Sequence, residues 1–319
     1  MSPRICIFGT GAIGGLLAAR LANAGLHVNC VARGATMRAI QSDGLRLIDD
    51  DGEIRVDVNC TDSPAQLGDQ DFVLVTLKAH SLADNVDGIA HLLGPATAII
   101  TAQNGVPWWY FYKDSSSFPG KQLGCVDPEG RIWKMLGPER AVGAVVYPTA
   151  EVVAPGVVRH VHGDRFTVGE PGGEISPRAV EIRGLLCKAG LEATVSENIR
   201  DETWLKLSVN AAINPLSLVR RATIGKILSD SADRQYLITL IRESQDVARS
   251  LGIASIMSAK ELTDALESFG AHKTSMLVDH ECGRELELEA LTGAVLELAK
   301  RMRVPTPALS NLYAQACSI

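Results

Sequence analysis

The stretch RICIFGTGAIGGLLAARLANAG, residues 4–25, determines the fold at the start of the chain. A short apolar run typical of a buried strand leads into Gly9, Gly11 and Gly14, and small apolar residues follow at helical spacing. In such a unit the first glycine permits a tight turn, the second lets the backbone approach a pyrophosphate, and the third lets the helix pack closely. The pattern predicts a dinucleotide-binding loop, with a purely structural glycine turn as the alternative. The residues predicted to contact the cofactor here are Gly9, Thr10, Gly11, Ala12, Ile13 and Gly14.

The end of the second apolar run indicates which dinucleotide binds. An NAD site usually offers Asp or Glu there to the ribose hydroxyls, whereas this chain reads CVARGATMR, with Arg33 at that position and Arg38 behind it. A guanidinium binds a phosphate through paired hydrogen bonds, and a carboxylate would repel it. We therefore predict NADP, as NADPH, with Arg33 on the 2′-phosphate; the alternative is an ordinary surface charge.

Two domains are expected from the order of the apolar patterns. The N-terminal half alternates short apolar runs with helical patterns, as in a parallel sheet covered by helices, and further short runs between residues 141 and 171 predict antiparallel strands that extend this sheet. Beyond the segment EPGGEISP, long helical patterns dominate. We predict an α/β Rossmann-like NADP-binding domain over residues 1–174 and an all-α substrate and catalytic domain over residues 175–319. The predicted helices cover residues 12–24, 179–189, 198–219, 233–251, 258–269 and 285–302.

Composition excludes several classes of function. A length of 319 residues favours two domains over a single core. The net charge of -6 provides no basic field for nucleic acid or an anionic membrane. No apolar run approaches the roughly 20 residues of a membrane span, and the first strand leaves no room for a signal peptide. We expect a cytoplasmic protein whose partner is a small-molecule substrate, with no nucleic acid and no membrane.

The cysteines and histidines do not form a metal-binding pattern. The seven cysteines are scattered and contain no C-x-x-C pair, so we expect reduced, mostly buried thiols. His160 and His162 alternate along a predicted strand and could share a metal, but no Asp, Glu or Cys lies at a spacing that completes a site. We predict no metal site.

A polar stripe interrupts an apolar helical segment, WLKLSVNAAINP, residues 204–215. Lys206, Asn210 and Asn214 lie four residues apart and therefore share one face of the helix. Burying an unpaired amide costs about 1–3 kcal/mol, so this face meets either solvent or a ligand. Pro215 is expected to kink or end the helix beside Asn214.

Three further polar residues stand at positions that favour a ligand site. Lys78 and Asn104 follow the third and fourth apolar runs, at the edge where open α/β sheets bind ligands. The alternatives are a surface lysine and an ordinary Asn-Gly turn. On a continuous helix Glu287 would lie about 200° from Glu285 and Glu289, on the apolar side, where a carboxylate needs a partner. Its alternative is a helix-end charge that reaches water.

Together these motifs resemble the ketopantoate reductase family, the NADPH-dependent 2-dehydropantoate 2-reductases, through most of the chain. In that family a Rossmann domain packs against a helical domain, and a 2-oxo acid is reduced to a 2-hydroxy acid, pantoate, in the cleft between them. The matching blocks are the glycine loop, the arginine after the second strand, Lys78 in TLKA, Asn104 in QNG, the segment from Lys206 to Asn214, SMLVDHECGRELELEALTG from Ser275, and VPTP from Val304.

The resemblance also implies roles for individual residues. Lys206 is implied as the proton donor, and Glu287 matches the active-site glutamate. Burial would lower the pKa of Lys206 and a paired Glu287 would raise it, and the sequence does not decide between them. Without the resemblance Ser275 would be read as a cap. The implied substrate-binding residues are Asn104, Asn210, Asn214 and Ser275, and those implied near the cofactor are Lys78 and Asn104.

The chain departs from the family in the segment VPWWYFY, residues 106–112, with Trp133 further on. This segment could bury its aromatic rings on the sheet or form an oligomer contact such as a homodimer, or it could reshape the substrate pocket. The function could therefore be a reductase of the same fold acting on another 2-oxo or β-hydroxy acid. A non-catalytic NADPH-binding sensor is a further alternative, disfavoured because it needs neither Lys206 nor Glu287.

Overall fold

The computed structural model describes residues 2–114, 121–254 and 257–319. Backbone contacts divide the chain into two compact units. The N-terminal unit takes residues 1–103 and 130–199, and the C-terminal unit takes residues 104–129 and 200–319.

Strands of the described chain all lie in the N-terminal unit, as the α/β pattern predicts. The strands are short, and those formed by apolar runs are mostly buried. The strands are β1 Ile5–Phe8, β2 Val28–Val31, β3 Leu45–Asp49, β4 Gly52–Val56, β5 Asn59–Thr61, β6 Gln70–Val75, β7 Leu93–Thr101, β8 Ala141–Val146, β9 Thr149–Ala154, β10 Val157–His162, β11 Arg165–Gly169 and β12 Glu192–Val195.

The main sheet has eight strands in the order β12-β11-β8-β7-β6-β1-β2-β5. Neighbours from β8 to β5 run parallel, while β11 is antiparallel to β8. The mostly parallel sheet with an antiparallel extension confirms the predicted fold class. Phe8 on β1 is in register with Val31 on β2 and Val75 on β6, so the residues that follow these three strands meet at one edge.

A second sheet, in the order β4-β3-β10-β9, corrects one prediction. The strands now numbered β9 and β10 were expected to extend the main sheet, but β10 pairs with β3 and β9 instead. This sheet lies on the first helix, where a Cβ atom added at Gly15 would be 2.4 Å from Val158 Cγ2. The close approach is possible because position 15 has no side chain.

Helices cover the main sheet and build the C-terminal unit. Their apolar faces are buried in two cores, one for each unit. The helices are α1 Ala12–Asn23, α2 Gly34–Asp43, α3 Leu82–Ala90, α4 Arg131–Leu136, α5 Pro177–Lys188, α6 Ile199–Arg220, α7 Ile224–Ser229, α8 Ser231–Ser250, α9 Ala259–Ala265, α10 Ser275–Glu281, α11 Ala294–Met302 and α12 Pro307–Ala316.

The division into two units differs from the single boundary predicted after residue 174 in two respects. Helix α5 and strand β12 stay with the N-terminal unit because β12 pairs with β11. Residues 104–129 leave that unit and join the helices. Among the helices of the described residues, none combines the length and the apolar character that a membrane span requires.

Two helices differ in detail from what was expected. Pro215 lies inside α6, so a helix end does not occur there, and α6 from Ile199 to Arg220 agrees with the helix predicted over residues 198–219. The helix predicted over residues 285–302 begins three residues later, and its first part is a five-residue π-helical turn, Glu289–Gly293, that leads directly into α11. Glu287 lies before this turn and outside regular helix, half-buried, whereas its neighbours Glu285 and Glu289 are exposed as expected.

All seven cysteines are free thiols, but fewer are buried than predicted. Cys6, Cys30 and Cys60 are buried in the N-terminal unit, and burial raises the pKa of Cys6 to about 12. Cys282 and Cys317 are exposed. The buried thiols are therefore un-ionised at neutral pH and act as small apolar side chains.

Candidate active site

The glycine loop after β1 is built by two close approaches. Gly9 has a φ of 103°, in the left-handed region that disfavours side chains. A Cβ atom added at Gly14 would lie only 2.2 Å from the Gly9 carbonyl oxygen. At Gly11 an added Cβ would meet no described atom within 4 Å. Backbone packing thus explains Gly9 and Gly14, while the open space at Gly11 suits an approaching ligand.

Thr76 holds this loop in place and was missed in the sequence. Its Oγ1 donates to the Gly9 carbonyl at 2.6 Å, from the residue that directly follows β6. The hydroxyl ties the ends of two adjacent strands together. The available signal was a threonine at the same edge of the sheet as the glycine loop.

The loop fits the phosphates of a dinucleotide. Helix α1 begins directly after Gly11, no described side chain caps its N-terminus, and its first turn carries no acidic residue. The free N–H groups of a helix N-terminus and the helix dipole favour a phosphate at this position. Thr10 is buried behind the loop, while Ala12 and Ile13 form the first turn of α1.

The predicted cationic residues flank this loop. Arg33 follows β2, immediately precedes α2 and is exposed, as is Arg38. Lys78 follows β6 and is half-buried. Because β2 and β6 pair with β1 on opposite sides, Arg33 and Lys78 lie at the edge that carries the glycine loop.

Three predicted residues meet in the C-terminal unit although they are far apart in sequence. Lys206 Nζ donates to Asn104 Oδ1 at 2.9 Å. Asn104 Nδ2 donates to Glu287 Oε2 at 3.5 Å, at the long limit of a hydrogen bond. The amide of Asn104 therefore bridges an ammonium and a carboxylate. We call Lys206, Asn104 and Glu287 the polar triad.

Burial dominates the electrostatics of Lys206. Desolvation lowers the pKa of the Lys206 ammonium to about 8, and the negative charge of Glu287 opposes this by favouring the charged form. Part of the residue keeps solvent contact, whereas its ammonium end is surrounded by protein. A pKa near neutrality suits an amine that must give up a proton.

The other predicted substrate residues differ in how deeply they are buried. Asn210 is half-buried and Asn214 is 4% exposed, on the turns of α6 that follow Lys206. Ser275 is exposed at the start of α10. The capping role considered for Ser275 is wrong, because the Thr274 hydroxyl accepts from the Leu277 N–H at 3.3 Å.

The backbone beside Asn104 rests on the π-helical turn. Gly105 has a φ of 95°, and an added Cβ would lie 2.3 Å from the Ala290 carbonyl oxygen. That oxygen accepts a hydrogen bond from the Val106 N–H at 3.1 Å. The turn that follows Glu287 thus also places Asn104.

The aromatic segment is part of the interior. Trp108 is 4% exposed and Trp109 is 1% exposed, and Tyr110 and Phe111 belong to the core of the C-terminal unit. An exposed aromatic contact between copies of the chain is therefore ruled out for these rings. Trp133 lies in α4, in the N-terminal unit.

Two residues in the first turns of α6 hold the aromatic segment, and neither was predicted. Arg200 Nε donates to the Tyr110 carbonyl at 2.9 Å and Nη2 donates to the Tyr112 carbonyl at 2.5 Å. Trp204 Nε1 donates to the Tyr110 hydroxyl at 2.7 Å. An arginine that follows a helix start has no local sequence signal for such distant partners.

An α/β unit whose glycine loop precedes an uncapped helix, together with a helical unit in which a lysine, an amide and a glutamate meet, is the arrangement expected of a dinucleotide-dependent oxidoreductase. The chain belongs to the ketopantoate reductase family: the family model Ketopantoate reductase PanE/ApbA matches residues 5–173, and its C-terminal counterpart matches residues 198–317. It is accordingly an oxidoreductase of the nicotinamide-dependent kind that acts on CH–OH groups.

Similar proteins that match nearly the whole chain are consistent with this family. A 2-dehydropantoate 2-reductase from Mesorhizobium japonicum is 46% identical over 312 residues, which cover 98% of this chain and 96% of the relative. A candidate ketopantoate reductase from Ralstonia solanacearum has a crystal structure that matches with a TM-score of 0.95 at 39% identity, covering 100% of this chain and 98% of that one. The ternary structure of D-mandelate dehydrogenase with NADH and anilino(oxo)acetate shares the fold, with a TM-score of 0.85 at 21% identity over 99% of this chain and 97% of that one.

Proposed function

We propose that this protein reduces ketopantoate, or 2-dehydropantoate, to pantoate with NADPH. The observation that carries the proposal is the polar triad, in which a lysine of lowered pKa is hydrogen-bonded to Asn104 beside Glu287. The 46% identity to a 2-dehydropantoate 2-reductase supports the choice of substrate. A cytoplasmic location and a homodimer stay predictions.

NADPH is favoured over NADH by the charges after β2. Arg33 and Arg38 are exposed cations there, and a guanidinium would bind the 2′-phosphate. The glycine loop and the uncapped start of α1 would hold the pyrophosphate, with Lys78 as a further cation. When bound, the nicotinamide supplies the hydride that the keto carbon accepts.

Lys206 has the central role among the side chains. As hydride reaches the keto carbon, the substrate oxygen gains negative charge that needs a proton and a positive neighbour. The Lys206 ammonium provides both, and its pKa of about 8 makes proton release easier than from an exposed lysine. Glu287 keeps the amine protonated before the reaction, because its charge favours the ammonium.

Amides and a hydroxyl would orient the substrate. Asn104 already accepts from Lys206, so it would place the ammonium as well as contact the substrate. Asn210, Asn214 and Ser275 can hydrogen-bond a carboxylate or a hydroxyl without adding charge. These assignments follow the family resemblance of each position.

Substitution of Lys206 tests the proposal directly. Oxidation of NADPH on addition of ketopantoate is followed by absorbance, and Lys206→Ala is expected to lower kcat by about 10²–10⁴-fold because the proton donor is lost. The KM for NADPH should change little. Lys300→Ala, which removes an exposed lysine of the same unit, is the matched control and should behave as wild type. An unchanged kcat in Lys206→Ala would refute the proton-donor role.

The same assay tests the substrate. A panel of 2-oxo acids that differ in branching and in aromatic character is compared by kcat/KM. We expect ketopantoate to rank first. A higher kcat/KM for another 2-oxo acid would identify that acid as the substrate and leave the proposed type of reaction unchanged. No turnover of any acid would favour the sensor hypothesis.

A further inference from the structure

Helix α6 passes through Pro215 without ending, and this leaves one carbonyl short of its usual partner. Proline has no N–H, so position 215 cannot donate to the Ala211 carbonyl four residues earlier. The hydroxyl of Thr292 donates to that oxygen at 2.9 Å, and both Thr292 and Ala211 are 0% exposed. A side chain from another element therefore replaces the missing backbone donor.

Thr292 belongs to the π-helical turn that follows Glu287. The Glu287 carbonyl accepts from the Leu291 N–H at 3.2 Å, so the Glu287 backbone is bonded to the middle of the same turn. Through Ala290 the turn also contacts the backbone beside Asn104. The segment is thus joined to all three members of the polar triad: to Lys206 through α6, to Asn104, and to Glu287 itself.

We propose that Pro215, Ala211 and Thr292 form a positioning link that fixes the turn after Glu287 against α6 and so holds the Glu287 carboxylate in place relative to the Lys206 ammonium. Pro215 makes the Ala211 carbonyl available, and Thr292 occupies it. Thr292 is a positioning residue, since it touches the helix and not the reacting groups. The catalytic meaning of the link rests on the proposed function, in which Lys206 donates the proton.

The link should have a measurable electrostatic effect on the pKa of Lys206. Glu287 is the charged group that raises the pKa of Lys206 against the effect of burial. If the turn loosens, the carboxylate moves away from the ammonium on average and its contribution weakens. The pKa of Lys206 should then fall further.

The test compares Thr292→Val, which keeps the shape and removes the hydroxyl, with Thr292→Ser, which keeps the hydroxyl. The pKa of Lys206 is measured from the pH dependence of its acetylation by acetic anhydride, followed by mass spectrometry in the full-length protein. We expect Thr292→Val to lower the midpoint by about 0.5–1 pH unit, a part of the shift that a nearby opposite charge produces. Thr292→Ser should stay close to wild type.

Thr263→Val is the matched control. Thr263 is 0% exposed in the same unit, and its Oγ1 donates to the Ala259 carbonyl at 2.8 Å within α9. Its loss removes a comparable buried hydroxyl, so Tm should fall while the Lys206 midpoint stays. A Thr292→Val protein that loses Tm but keeps the wild-type midpoint would overturn the proposal.

Pro215→Ala separates positioning from stability. An alanine at 215 restores an N–H for the Ala211 carbonyl, so the double variant Pro215→Ala/Thr292→Val should regain Tm relative to Thr292→Val alone. The lowered Lys206 midpoint should remain, because the turn is still not tied to α6. Recovery of the midpoint together with Tm would mean that Thr292 only satisfies a buried carbonyl, which contradicts the link.

Failure of the link and failure of the proposed function give different results. The acetylation readout needs neither substrate nor cofactor. If the wild-type protein does not reduce ketopantoate, the proposed function is refuted. A lowered midpoint of Lys206 acetylation in Thr292→Val would still support the link. In an active enzyme, Thr292→Val should also lower kcat by about 3–10-fold with little change in the KM for NADPH.

Discussion

At the scale of single residues, Lys206 shows how one environment can serve two needs. In the proposed reaction its ammonium must be charged to attract the developing oxyanion and acidic enough to release a proton. Burial supplies the acidity and Glu287 limits it. The sequence named both residues but could not weigh the two effects, because the depth of a side chain depends on the packing of distant segments.

The balance predicts the pH profile of the reduction. As the proposed proton donor Lys206 must be protonated, so kcat/KM should be constant at neutral pH and fall as the pH rises through about 8, its pKa. Glu287→Gln removes the charge that raises this pKa, so the falling limb should move to lower pH. A pH–rate profile of both proteins checks the direction. A limb that moves upward in the glutamine variant would contradict the assigned interaction.

Arg33 gives a second prediction at this scale. Arg33→Asp replaces a cation with the kind of side chain that binds ribose hydroxyls in NAD sites, and it would repel the 2′-phosphate. The ratio of kcat/KM for NADPH to that for NADH should fall by about tenfold or more, equal to 1.4 kcal/mol. Arg249→Asp, a charge reversal at an exposed arginine elsewhere, is the control. An unchanged ratio in Arg33→Asp would refute the assignment.

At the scale of elements, the local pattern predicted most helices and the buried strands, and it failed where a distant partner decides. The apolar spacing from 285 to 302 is that of a regular α-helix, but the structure has a π-helical turn there. This turn contacts residues 104–106 and α6, which the local pattern does not show. A proline such as Pro215 often marks a helix end, but here the hydroxyl of the distant Thr292 donates to the Ala211 carbonyl in place of the N–H that Pro215 lacks. Likewise the pairing of β10 with β3 spans a separation that no local pattern contains.

The two ends of α6 provide a matched pair of arginines. Arg200 donates to two carbonyls of the aromatic segment, and burial lowers its pKa. Arg220 forms an exposed ion pair with Asp233. Arg200→Met should lower the free energy of unfolding by about 1–3 kcal/mol, because it leaves those carbonyls without their donor. Arg220→Met should cost less than about 1 kcal/mol.

Urea denaturation of both variants measures this difference. The Arg200 variant should also lose activity, since the segment it holds begins at Asn104. Equal and small losses of stability would show that Arg200 does not anchor the segment.

At the scale of the whole molecule, the division into units was the hardest feature to read. The glycine loop, the change to helical patterns and the family motifs all predicted an α/β part followed by an all-α part. The excursion of residues 104–129 into the C-terminal unit was not predicted, because its aromatic residues have no clear period. Their destination depends on a core formed by helices that occur a hundred residues later.

This excursion makes the molecule indivisible by a single cut. The chain crosses between the units after residues 103, 129 and 199, so three covalent connections join them. A fragment of residues 200–319 would contain Lys206 and Glu287 but lack Asn104, and it would expose the core surface that Tyr110 and Phe111 cover. The part of the chain that carries Lys206 and Glu287 is therefore not a transferable module, and recombination with relatives must exchange residues 104–129 together with the helices.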